Sequence, residues 1–125
     1  MDISQLSIAD TADVEITLPS GEATDIVIQV YGQDSDAYKK VSRKQQNSRL
    51  KDMQRGKKGN TTAEDIEARG FDLLVSCVAS WSGVESGGKA LECTPDNIRL
   101  LFKQLPFIKE QVDVAIADRV NFMKS

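Results

Sequence analysis

The stretch Ile66-Glu67-Ala68-Arg69-Gly70-Phe71-Asp72-Leu73-Leu74-Val75-Ser76-Cys77-Val78-Ala79-Ser80-Trp81 decides how the rest of the chain is read. From Phe71 onward almost every residue is apolar or small, and the polar exceptions Asp72, Ser76 and Ser80 are spaced four apart. On a helix these three fall on one narrow line. The expected element is therefore a helix buried on most of its circumference with one thin polar stripe. Thr61 and Glu64 just upstream have the spacing of a capping box, which sets the start of that helix, and it is expected to run to about Ser82.

Working outward toward the N-terminus, residues 1–12 read as a loose lead-in. Asp13 to Leu18 alternates strictly, with Val14, Ile16 and Leu18 on one side, which is the period of a half-buried strand. Pro19-Ser20-Gly21-Glu22 supplies turn chemistry. A second strand is expected from Thr24 to Tyr31, with Ile26, Ile28 and Val30 sharing a face, so residues 13–31 form a β-hairpin. A lone hairpin is marginal in water, so this one must pack on the helices or pair its edge with another chain. Ser35 or Asp34 can cap a helix from about Asp36 to Arg55, whose surface is mostly basic or amide. Residues 56–60 read as a mobile loop.

Toward the C-terminus, Gly83 to Glu92 reads as a loop holding a tight turn between short extended pieces around Val84 and Leu91. Its Gly88-Lys89-Ala90 lacks the hydroxyl residue and the following helix that a phosphate-binding loop needs. Thr94 caps the next helix and Pro95 occupies its first position, with Ile98, Leu101, Phe102 and Leu105 as the buried face. The last helix is expected from Phe107 to Met123, with Ile108, Val112, Ala115, Ile116, Val120 and Met123 inward and Glu110, Asp113 and Asp118 outward. The expected fold class is α+β: an N-terminal β-hairpin followed by about four α-helices, mainly helical, in a single domain over 1–125 with its helical core at 61–123.

Charge is divided unevenly. Nine basic residues (Lys39, Lys40, Arg43, Lys44, Arg49, Lys51, Arg55, Lys57 and Lys58) fall between positions 39 and 58 with Asp52 as the single acid, a block of +8. The whole chain carries −3, so the remainder carries −11. Such a block reads either as a plain solvated helix face with no partner or as a contact surface, and two partners suit the latter. One is nucleic acid, although of the base-stacking aromatics only Tyr38 lies near. The other is an acidic protein surface, on a partner or on a neighbouring copy, which the −11 makes physically sensible. The residues expected to carry interaction are Lys39, Lys40, Arg43, Lys44, Arg49, Lys51 and Arg55, with Trp81 and the acidic set Glu110, Asp113 and Asp118. For Trp81 the first reading is a core anchor, with an interaction surface as the alternative.

Catalytic equipment is thin. There is no histidine, which removes the commonest general base and metal ligand. The serines of the 72–80 stripe have no obvious activating base. Cys77 and Cys93 have neither CxxC nor zinc spacing; two reduced thiols are the simplest expectation, with a disulfide between them open. No enzymatic activity, cofactor or metal is expected. MDISQLSIAD is not a signal peptide, and no run approaches the ~20 apolar residues of a membrane span, which points to a cytoplasmic protein.

Two groups of residues carry a family resemblance. One is Trp81-Ser82-Gly83-Val84, Gly88-Lys89, Leu91, Thr94-Pro95, Asn97-Ile98 and Leu100-Leu101. The other is Pro106-Phe107-Ile108, Gln111-Val112, Ala115, Asp118-Arg119 and Asn121-Phe122. Together they resemble the tail assembly chaperones of long-tailed bacteriophages and prophages, over the C-terminal half of the chain. The resemblance implies a non-enzymatic protein of virion assembly in the host cytoplasm. Such a protein coats the tape measure protein, recruits tail tube subunits, self-associates and is absent from the finished particle. Several members of that family are also made in a longer, frameshifted form. The alternatives are a tail completion or connector protein, and a nucleic-acid-binding regulator using residues 39–58.

Overall fold

The computed structural model describes residues 1–54 and 62–124. A 3-10 turn (Ile3–Gln5) leads into β1 (Ser7–Ile8), β2 (Thr11–Thr17) and β3 (Ala23–Tyr31). α1 (Asp36–Gln54) and α2 (Ala63–Ser76) follow, then β4 (Val78–Ser82), β5 (Glu85–Ser86) and β6 (Lys89–Ala90). α3 (Pro95–Gln104), α4 (Pro106–Ala117), a second 3-10 turn (Arg119–Phe122) and β7 (Met123–Lys124) complete an α+β fold. The expected mobile loop at 56–60, Arg55 and the expected cap Thr61 lie outside the described residues.

β2 and β3 form the expected antiparallel hairpin, with Asp13 opposite Gln29 and Val14 opposite Ile28. The alternation survives in burial: Ile16, Ile28 and Val30 are in the core, while Asp13, Glu15 and Asp25 are exposed on the other face. Leu18 departs from the expected face. The register shifts between Glu15 and Thr17, and Leu18 sits exposed in the turn, its N–H donating to the Glu22 carbonyl.

The apolar helix ends earlier than its composition predicts. α2 stops at Ser76, and Val78–Ser82 becomes the third strand of the sheet, order β2-β3-β4. A continuous apolar run suits a buried strand as well as a buried helix, so periodicity cannot choose between them. The choice is made by β3, whose second edge would otherwise present a row of unpaired backbone groups. Cys77 is the turning point: its N–H donates back to the Leu73 carbonyl, and its own carbonyl accepts the Tyr31 N–H at 2.7 Å. The hairpin thus completes its sheet from within the chain. The polar stripe dissolves with the helix. Ser76 donates to the Asp72 carbonyl, whereas Ser80 is on the sheet and donates to Gln29 Oε1. The start of α2 is displaced by one residue. Thr62 Oγ1 accepts the Asp65 N–H and Asp65 Oδ2 accepts the Thr62 N–H, so the box is Thr62–Asp65 in place of Thr61–Glu64.

The loop after β4 contains the expected turn, with Glu85 opposite Ala90, Ser86 opposite Lys89 and Leu91 N–H donating to the Val84 carbonyl. Thr94 and Pro95 open α3 as predicted. Ile98, Leu101 and Phe102 are buried there, but Leu105 is partly exposed in the joint to α4. α4 lays Ile108, Val112 and Ile116 against the sheet. It ends at Ala117, six residues before the expected end, and Val120 and Met123 are exposed. The chain turns there because Asp118 accepts the Val120 N–H and Phe122 buries its ring against Gly32. Met123–Lys124 then pairs with Ser7–Ile8. The N-terminus, expected to be a loose lead-in, is thereby tied to the other end of the chain, and Thr11 and Ala12 belong to β2. Among the described residues, all fifteen buried apolar side chains form one cluster.

Candidate interaction surface

α1 is anchored at its first turn. Ser35 is buried, its hydroxyl donates to the Gly32 carbonyl at 2.6 Å and accepts the Tyr38 N–H at 3.2 Å. Tyr38 packs on the core, and Gln45 Nε2 donates to the Arg69 carbonyl at 2.9 Å, holding the helix to α2. Beyond these contacts the attachment is slight: none of the nineteen residues of α1 is buried.

The basic residues sort by their angle around the helix. Lys39, Lys40, Arg43, Lys44 and Lys51 recur around one side of the helix and share one solvent-facing surface. At 3.6 residues per turn this face is opposite Tyr38, Ser42 and Gln45, so it points away from α2. Lys39 to Lys51 spans about 18 Å of helix axis. Arg49 is on the other side, in the groove between α1 and α2 with Ile66 and Arg69. Arg55 is outside the described residues.

The other expected interaction residues are not gathered with these. Trp81 lies in β4 opposite Ile28, packs on the core and donates its Nε1–H to the Leu91 carbonyl at 2.8 Å. That is the position of a structural anchor. Glu110 and Asp113 are exposed on α4, and Asp118 is beyond its end as a capping acceptor. None of the three pairs with α1 among the described residues.

Two ion pairs occur among the described residues. Arg119 Nε meets Asp34 Oδ2 at 2.8 Å, and its guanidinium holds the Asp34 carboxyl below the usual carboxylate range. Arg99 meets Asp72 at 3.3 Å. Cys77 and Cys93 are both free, and burial pushes the Cys77 thiol up to about 11, so it is protonated at neutral pH. The described residues hold no cluster of metal-ligating side chains. No helix among them is long and apolar enough to cross a membrane.

A mixed-charge groove between α2 and the α3–α4 corner has no counterpart among the sequence expectations. Glu64, Glu67 and Asp72 line one wall, Arg99, Lys103 and Lys109 the other, with Phe71 between them. Phe71 meets Phe102 edge to face at 6.3 Å, and the Nζ atoms of Lys103 and Lys109 lie 5.9 and 5.6 Å from its ring centre. The α2 acids recur at helical spacing in the sequence, but nothing local connects them to lysines on α3 and α4, which follow only after three intervening strands.

No known protein family, characterised protein or solved structure matches this chain.

Proposed function

We propose that this chain is a non-enzymatic assembly chaperone of a bacteriophage tail. In this reading it works in the host cytoplasm, binds the tape measure protein and recruits tail tube subunits. The observation that carries the reading is α1, a nineteen-residue helix with no buried residue and five cations on the face turned from its own fold. Helices of globular proteins owe most of their stability to packing an apolar face. One attached this thinly, with five cations against one acid, Asp36, on its outward face, suits contact with an acidic partner surface. The resemblance of the C-terminal half to tail assembly chaperones supplies the identity of the partner. The absence of histidine and the protonated, buried Cys77 agree with a binding role.

The physical mechanism is masking. The chaperone covers apolar stretches of the tape measure protein until tube subunits replace it. Co-expression with that protein tests this. The wild-type chain is expected to raise its solubility and to co-elute with it on sizing, while Lys40→Glu/Lys44→Glu weakens the complex at least about tenfold at low salt. No complex and no change in solubility would refute the proposal.

The five cations also favour a second reading, nucleic-acid binding, and its mark would be a steep fall of affinity with salt. DNA and RNA titrations at ~50 mM salt separate the two readings, because a protein-binding helix leaves both polymers unbound.

A further inference from the structure

We infer that the groove over Phe71 is a docking site for an amphipathic helix of a partner protein, one that carries acids along one edge of its apolar stripe and bases along the other. The two walls have opposite sign. Glu64 and Glu67 stand on α2, and Lys103 and Lys109 on the α3–α4 side. Only the far end is closed internally, by Arg99 and Asp72. Glu64, Glu67, Lys103 and Lys109 form no ion pair among the described residues, although they line the same groove.

The floor is apolar and aromatic. Phe71 is only half-buried and rests on the buried Phe102, and the exposed Ala68 and Pro106 continue the floor. The two ammonium groups lie within cation–π range of one ring, which favours their placement over the groove. Two like charges directed at one aromatic are a receptor for carboxylates arriving beside an apolar side chain. The opposite wall asks for bases. A helix presenting apolar residues at i, i+3, i+4 and i+7, with glutamates on one flank and lysines on the other, satisfies floor and walls together. A partner helix of one sign would meet repulsion from one wall.

The groove is separate from the basic face of α1, so its occupancy does not depend on the role proposed for that helix. The probes are three labelled synthetic helical peptides with the same leucine stripe, followed by fluorescence anisotropy. One has a Glu edge and a Lys edge, one has Glu on both edges, and one has Lys on both. The mixed-edge peptide should bind wild-type protein about tenfold more tightly than either other. Lys103→Glu/Lys109→Glu makes both walls acidic and should move the preference to the Lys-edged peptide. Glu64→Lys/Glu67→Lys should move it to the Glu-edged one. Combining all four substitutions should restore the mixed-edge peptide, bound in the reverse direction. Circular dichroism melts would confirm that each variant is folded; should one not be, the single substitutions Lys103→Gln and Glu67→Gln would serve as its replacements, each weakening mixed-edge binding.

Binding of none of the three peptides would overturn the inference, as would a peptide preference that ignores these reversals, the result expected if peptides simply adhere to α1. A dimer of this chain that the same reversals dissociate would assign the groove to a second copy and overturn it too.

Discussion

Gly83 shows how much a single backbone position holds. It ends β4 with φ at +77°, and a side chain there would run into the Asp25 carbonyl of β3. Both the left-handed conformation and the close approach call for glycine. Gly83→Ala is expected to lower stability by about 2 kcal/mol or more, read as a fall in the urea midpoint at unchanged slope. An unchanged midpoint would show that the β4 end can move aside. Cys77 makes a second claim at this scale. Its folded pKa, about 11, stands above its ordinary value of 9.0. The sign follows from the neutral form being favoured in the fold. The stabilisation is fully present below about pH 9 and is lost as pH rises toward 11. Native protein at pH 8 should accordingly alkylate slowly at Cys77 and faster at Cys93, which is less buried. Peptide mapping after timed labelling checks the order, and equal rates would contradict it.

At the scale of elements, the contact between α4 and β2 is made by an amide. Gln111 Oε1 accepts the Thr17 N–H at 3.0 Å and its Nε2 donates to the Thr17 carbonyl at 2.8 Å, the pairing a neighbouring strand would offer. This covers the edge of β2 where the hairpin register shifts. Gln111→Leu keeps the bulk and strands both Thr17 groups, so a loss of about 1–2 kcal/mol is expected in thermal or urea unfolding. No measurable loss would mean that water replaces the amide. Most elements could be read locally. The hairpin follows from a period of two, and α3 from Thr94, Pro95 and its spaced apolar residues. The 72–80 stripe misled because Val75, Cys77, Val78 and Trp81 suit either a helix or a strand. The end of α4 misled in the same way. Val120 continues the four-residue spacing of Val112 and Ile116, but only in sequence. The helix stops short of it, and burying Phe122 on Gly32 wins instead.

For the whole molecule, the division of charge had a clear local signal and a hidden spatial one. A run with five outward cations on one helix is legible from spacing alone, since three- and four-residue steps return to one face. Its separation from Arg49, and the placing of Trp81 as an anchor, depend on which side α2 and β3 occupy. The groove over Phe71 was illegible for a similar reason. Its walls come from residues 64–72 and 99–109, which meet only after α3 and α4 have folded against α2.

Composition, periodicity and capping residues settled the α+β class, the hairpin, the basic helix and the start of α3, because each depends on forces acting within a few residues. The three-stranded sheet, the closure of Ser7–Ile8 on Met123–Lys124 and the two-signed groove were settled by long-range contact. There the energies of an open strand edge, an aromatic ring to bury and unlike charges across a gap act between residues that the chain holds far apart. The Phe71 to Trp81 stretch belongs to both groups. Its burial was plain from its apolar residues, and its change from helix to strand at Cys77 came from β3.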